Sequence, residues 1–337
     1  MRATPTNPPV LLAEVTRGAA IESRHFGHVV VVNAVGEVLF AAGDPEHPTY
    51  PRSSLKPLQA LAALANGTAE RFSFTDAEVA VTCASHAAEP RHRTAVARIL
   101  EKIGATEADL HCGAHPVPHE PSRDELILAG RKPTPIYSNC SGKHAGMLAL
   151  ARVLDAPLAG YWELDHPVQR EIQAVLHAAC DTDLDTLQWG VDGCGVPTYL
   201  LPLRQLALGF ARLAQPDTLP ERYRAAARRI DAAMNAEPGM VRGEGGFDTV
   251  LMEAVPGVLV CKGGAEGCEA VGVLGRGLGF AVKVEDGGAR PLTAVTLATL
   301  QRVGVLPDPL PEVLEALLHP VVKNTRGESV GAVRACV

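Results

Sequence analysis

The amino-acid sequence predicts an α+β fold: a mixed or antiparallel sheet drawn from strands at both chain ends, with a helical middle region, roughly residues 54–235, packed on it. Three observations carry this. β-Branched runs broken by turn residues lie near both ends, segments apolar at helical spacing fill the middle, and regular strand–helix alternation is missing. With 337 residues, 47% hydrophobic and 20% charged, the chain is expected to form a single domain over residues 1–337.

Taken in order, Val10 to Ala42 reads as strand, turn, strand, the run HVVVVNAVGEVLFAAGD being broken at Asn33 and Gly36. After the loop HPTYPRSS, Ser54 to Asn66 is apolar at helical spacing and ends in Asn-Gly. Pro57 biases Lys56 away from helical geometry, which moves the expected helix start to Pro57. Asp76 to Arg98 and Ser141 to Leu154 read as further helices, with the Pro-rich HPVPHEPSRDE as a connector between them. Asp165 to Ala179 and Pro202 to Ala214 continue the helical series, joined through the strand-like QWGVDGCGVPTY. Near the C-terminal end, GVLVCKGGAEGCEAVGVLGRGLGFAVKVEDG predicts several short antiparallel strands and tight turns.

Composition excludes several classes of partner. A net charge of −7 with scattered Lys and Arg repels phosphate backbones and anionic lipid, and 4% aromatic content offers no stacking platform, so neither nucleic acid nor membrane is expected. The opening MRATPTNPPVLLAEVTRG lacks a basic segment followed by a continuous apolar one, so no secretory leader is expected. Eight cysteines without such a leader read as reduced thiols of a cytoplasmic protein.

Three constellations carry chemistry. Ser53-Ser54-Leu55-Lys56 is a Ser-x-x-Lys entering an apolar helix, where two side chains three residues apart share a face. A serine hydroxyl needs a base at neutral pH, and a buried lysine can lose its proton and supply one; the plain alternative is a helix-capping serine. A second serine, Ser85, lies in Thr82-Cys83-Ala84-Ser85-His86, and Lys262 ends a β-like run before Gly263 and Gly264. A strand-borne Lys-Gly facing Ser-x-x-Lys is the layout of penicillin-recognising serine enzymes, with glycine here in place of their threonine. Backbone N–H groups near Ser53 and at Gly263-Gly264 are candidates for holding a developing oxyanion. Third, Cys140 and Cys194 each stand beside glycine or serine, with His144 and Asp192 near in sequence, offering donors suited to an open zinc site; buried structural thiols are the alternative. Ser141-Gly-Lys-His opens a helix that could receive a carboxylate, but it lacks the glycine of a nucleotide loop.

Taken together, PRSSLKPLQ, CASH, NCSGKHAGML, LDHPVQ, WGVDGCGVPTY and CKGGAEG resemble, in order, the asparaginase II family of the rhizobial type. The resemblance implies a fold like that of serine β-lactamases and glutaminases, a homodimer, and hydrolysis of L-asparagine to L-aspartate and ammonia through an acyl-enzyme. It makes Ser53 with Lys56 one catalytic pair and Ser85 with Lys262 a second, with Ser53 favoured as nucleophile. It makes Cys140, Lys143 and Cys194 ligands of a zinc ion that assists binding, Asp192 and His144 either partners of those ligands or substrate contacts, and Arg52 and Gly263 further substrate contacts. Two segments depart from the pattern: Ala87-Ala88 stands where the family carries Ser-Gly before the glutamate, and Gly246 where a basic residue is expected. The rival readings are a glutaminase, a zinc hydrolase in which the metal activates water, and a penicillin-sensing module that acylates without turnover.

Overall fold

The computed structural model describes residues 7–337, so residues 1–6, on which the reading of the opening stretch partly rests, lie outside the described residues. The chain opens with β1 (Val10–Arg17), β2 (Ala20–Asn33) and β3 (Val38–Ala42), an antiparallel meander. Its second turn is built as the Asn33/Gly36 signal predicts: Asn33 Oδ1 accepts from the Val35 and Glu37 N–H groups, and Gly36 sits at φ 89. After β4 (Pro48–Thr49) and a 3₁₀ turn at Arg52–Leu55 comes α1 (Lys56–Ala65). Lys56 itself is helical (φ −57, ψ −39), so Pro57 did not move the start as expected; it occupies the first turn, where its missing N–H costs nothing. Every residue from Lys56 to Leu64 is buried, as befits a helix at the centre of a bundle.

The helical middle continues through α2 (Thr68–Arg71), α3 (Asp76–Thr82), α4 (Pro90–Lys102), α5 (Glu120–Leu128), α6 (Ser141–Val153) and α7 (Pro167–Cys180). Two expectations are corrected here. Asp76 to Arg98 is not one helix: it breaks between Thr82 and Pro90, with Ala88 left-handed at φ 64. The Pro-rich connector is half helix, because His119 Nδ1 caps the Ser122 N–H and Pro121 sits in the first turn of α5. The strand-like WGVDGCGVPTY is a hairpin of β5 (Trp189–Val191) and β6 (Pro197–Tyr199), followed by β7 (Leu201–Pro202), α8 (Leu203–Leu213), α9 (Glu221–Ala236) and α10 (Phe247–Ala254).

The C-terminal part supplies β8 (Leu259–Gly264), β9 (Cys268–Val273) and β10 (Leu278–Val284), then α11 (Leu292–Arg302), α12 (Glu312–Leu318), β11 (Val321–Lys323) and β12 (Ser329–Ala335). One antiparallel sheet runs β11-β12-β1-β2-β10-β9-β8, with β3 also pairing β2, so the opening strands and β8–β10 share it as the sequence predicts, while β11 and β12 add a further pair that the sequence reading did not include. Strand β9 is buried at every residue, and both α8 and α11 pack on it. Helix α8 seats its backbone directly on β10: a Cβ at Gly279 would lie 1.8 Å from the Ala207 carbonyl oxygen. All the cysteines are free, and among the described residues no helix is long and apolar enough to cross a membrane.

Candidate active site

The 3₁₀ turn that carries Ser53 enters from Arg52, a non-glycine residue held left-handed at φ 53. Backbone strain of this kind, worth about 1–3 kcal/mol, persists where surrounding contacts impose it. Strand β8 does so: a Cβ at Gly264 would fall 2.3 Å from the Pro51 carbonyl oxygen, so sheet and turn touch backbone to backbone. Ser53 is half-buried and lines a cavity of about 240 Å³ together with Arg52, Asn139, Cys140, Asp192 and Cys194. Its hydroxyl has no hydrogen-bond partner among the described residues, and the residue stands on the cavity wall.

Lys56, one turn on, is fully buried. Its Nζ donates to the Ala84 carbonyl at 2.6 Å and the Asn139 carbonyl at 3.3 Å, and lies 2.9 Å from Ser85 Oγ. No carboxylate is among these partners. Burial above all pushes the amine down to about 8; Cys140 and Cys194 oppose the fall, while Lys143 and Lys262 add to it. A neutral amine fits this nest: two N–H groups for two carbonyls, one lone pair for the Ser85 hydroxyl. Ser85 reaches Lys56 because the chain breaks helix after Thr82, and the Ser85 N–H is taken up by the Val241 carbonyl.

The expected pairings are therefore rearranged. Lys56 bonds Ser85, rather than Ser53, and Lys262 bonds neither serine. Lys262 Nζ sits 3.2 Å from Asp248 Oδ2 and donates to the Gly263 carbonyl at 2.6 Å. Burial would raise Asp248, but the charges of Lys262 and Arg242 and the Gly263 N–H outweigh it and hold the carboxyl below its ordinary range. Glu269 beside it is pushed well up, by burial first and by Asp248 second, and keeps its proton. Gly263 is corrected as a substrate contact and oxyanion donor: it is buried away from the cavity, and its N–H is spent on Asp248 Oδ2 at 3.1 Å.

Cys140, Lys143 and Cys194 do converge, from the first turns of α6 and from the β5–β6 hairpin. Lys143 Nζ donates to Cys194 Sγ at 2.8 Å, while the Cys140 thiol donates to Asn139 Oδ1 at 3.1 Å and the Cys194 thiol lies 3.7 Å from Asp192 Oδ2. The neighbouring Cys194 sulfur first, and then the charges of Lys56 and Lys143, hold Cys140 well below the ordinary thiol range against the effect of burial. Burial alone would lower Lys143, but the two sulfurs win and keep it charged. Two sulfurs and an amine nitrogen would form a donor set that suits zinc once the Lys143 ammonium has given up a proton, a loss that a neighbouring dication favours. Asp192 joins the cluster by pairing with Arg52; burial opposes its charge, but Lys143 and Arg52 hold it low.

His144 is corrected: it is fully buried, its Nδ1 lies 2.5 Å from Tyr161 Oη, and it does not line the cavity. Asp248, Glu269 and His115, whose Nε2 accepts the Asn139 N–H, escaped the sequence reading; Asp248 had a signal, lying in the segment that holds Gly246. A separate trio, His28, His47 and Glu285, has metal-like spacing. The Asp44 N–H donates to His28 Nδ1, however, so His28 Nε2 carries the hydrogen, points it at Glu285, and has no lone pair for a cation.

The sequence pattern of the family described as L-asparaginase II matches residues 13–335. No curated protein matches the chain. Solved structures similar to it include a putative β-lactamase from Bacteroides dorei, 14% identical with a TM-score of 0.41 over 82% of this chain and 93% of that one. A β-lactamase from Mycobacterium bovis is 16% identical, TM-score 0.40, over 82% of this chain and 94% of the other. Mglu in its glutamate form is 16% identical, TM-score 0.36, over 83% of this chain and 61% of its own.

Proposed function

The chain belongs to the L-asparaginase II family and is a hydrolase acting on a small amide substrate, and we propose that it converts L-asparagine to L-aspartate and ammonia. The observation that supports the reaction most directly is a fully buried amine, Lys56, bonded to one hydroxyl and one residue-turn away from another on the cavity wall. In this reading Ser53 Oγ attacks the side-chain carboxamide carbon, and its proton passes to neutral Lys56, with Ser85 as relay. The same proton then goes to the departing nitrogen, which leaves as ammonia, and the β-aspartyl ester on Ser53 is cleaved by water as Lys56 again takes a proton.

Arg52 and Asp192 are the charged pair at the cavity wall, matched to the carboxylate and ammonium of an amino acid. Cys140, Lys143 and Cys194 would hold a zinc ion, which supplies a fixed positive charge beside the substrate. A homodimer working in the cytoplasm completes the proposal.

Ammonia release from asparagine and from glutamine, with and without a chelator, tests it. Asparagine is expected to be the better amide, and Ser53→Ala to lose several orders of magnitude. A Ser53→Ala protein that keeps most of the rate would remove Ser53 from the mechanism. Stoichiometric zinc in the purified protein, reduced in Cys194→Ser, is the expected metal result; a metal-free active enzyme would end the zinc proposal.

A further inference from the structure

Beyond Arg52 lies a second cavity of about 400 Å³, within the range of small-ligand pockets. Arg52 lines both cavities, so the second opens directly behind the wall of the first. Its other walls come from Tyr50, from Val191 and Thr198 on the β5–β6 hairpin, and from Glu266 and Lys283. The hairpin register places Gly190 opposite Thr198, and a Cβ at Gly190 would lie 3.7 Å from Tyr50 Oη and 3.9 Å from its ring.

Two features mark this as a site built for a ligand. Thr198 is 6% exposed, yet its Oγ1 has no hydrogen-bond partner among the described residues, an arrangement that costs free energy unless something fills the cavity and bonds it. Arg52 is held by Asp192 through Nε alone, leaving both Nη groups without a bond among the described residues. Lys283 Nζ donates to the Glu266 and Val284 carbonyls and keeps one N–H. The unspent Arg52 Nη groups and the Lys283 N–H offer charged donors to a carboxylate, with Asp192 and Glu266 as the opposing charges, while Tyr50, Val191 and Pro48 favour an apolar body.

We propose that this cavity is a subsite for a residue joined to the α-carboxyl group of asparagine, so that the enzyme also deamidates asparagine at the amino end of a short peptide whose next residue is apolar. The proposal rests on the reading above that Arg52 marks the α-carboxyl end of the substrate. In the peptide the second residue's side chain occupies the apolar walls, its carboxylate pairs with Arg52 and Lys283, and a peptide polar group bonds Thr198 Oγ1. The reaction is unchanged: the side-chain carboxamide takes up water and releases ammonia.

Ammonia release from free asparagine, Asn-Leu and Asn-Lys decides it. Asn-Leu is expected to have kcat/KM within about tenfold of asparagine, and Asn-Lys at least tenfold less than Asn-Leu. Gly190→Phe fills the cavity without backbone strain, and is expected to lower kcat/KM for Asn-Leu at least tenfold while free asparagine stays within about twofold, which also shows that the variant folds. Thr198→Val, which removes only the hydroxyl, is expected to raise Tm and to lower the peptide rate severalfold. Turnover of asparagine with none of Asn-Leu, or Asn-Leu kinetics untouched by both variants, overturns the subsite. Failure on asparagine as well as on Asn-Leu would instead bring down the asparaginase reading beneath it.

Discussion

A buried ammonium with no counter-charge costs several kcal/mol, and Lys56 and Lys262 escape that cost by opposite routes. Lys262 keeps Asp248 at 3.2 Å, whereas Lys56 has two carbonyls and a hydroxyl and drops to about 8. The neutral form of Lys56 is the active base, so kcat/KM is expected to rise with pH along a limb with its midpoint near 8 and to fall about tenfold per unit below it. A flat profile between pH 6 and 9 would take Lys56 out of that role. The Asp248 and Glu269 pair makes a second prediction. Asp248→Asn removes the second of the two causes that keep Glu269 protonated and leaves Lys262 without its carboxylate, so Glu269, still opposed by burial, is expected to ionise and become the new partner of Lys262. The single change should therefore cost less than the about 3–5 kcal/mol of a broken buried pair, and Asp248→Asn with Glu269→Gln more than the sum of the singles in a denaturant cycle. Additive losses would mean that Glu269 does not substitute. Ser53 and Lys56 were legible because their relation is local, three residues on one turn. The Lys56–Ser85 bond was not, since only tertiary folding brings Ala84 and Ser85 to the start of α1. Nor did Glu269 stand out among the many acidic residues of the sequence, and Asp248 was marked only by lying in the segment that holds Gly246.

Elements near the site bend where backbone groups are claimed from outside. The run Cys83 to Ala88 is small and helix-compatible, which is why Asp76 to Arg98 reads as continuous. Its backbone is instead spent on tertiary partners: Ala84 O on Lys56, Ser85 N–H on Val241 O, and His86 N–H on Asn139 O. The return to helix at Pro90 passes through Ala88 at φ 64, the position where the resembled family carries glycine. Alanine there bears left-handed strain of about 1–2 kcal/mol, partly offset by the smaller entropy it loses on folding. Ala88→Gly is thus expected to raise Tm by a degree or two, and a fall would show that other contacts at Ala88 outweigh the strain. Turns set by single residues, such as Asn33 to Gly36, were legible for the converse reason: their bonds close within the turn.

At the scale of the whole molecule, the sheet order puts the chemistry and the chain ends on opposite edges. Lys262 lies on β8 at one edge, while β12 and β11 close the other, so the C-terminal strands support the core without touching the cavity. That β12 pairs β1, with Ala13 opposite Ala335 and Val15 opposite Val333, could not be read from the short polar-flanked SVGAVRA, because pairing with a strand more than three hundred residues away leaves no local trace. Removing residues 321–337 takes away those ladder bonds and the Val330 and Ala332 contacts to Gly18 and Thr16, and uncovers Leu12 and Val15 beside an open edge. For a chain of this size, where 1 kcal/mol shifts Tm by about 2–4 °C in smaller domains and less here, a loss of several kcal/mol should lower Tm by about 5 °C or more. The folded remainder should keep KM for asparagine within about twofold, since no residue of the cavity is anchored on β11 or β12. A KM that moved with the truncation would mean that the two edges of the sheet are mechanically coupled, and that the terminal strands help hold the reaction cavity in shape.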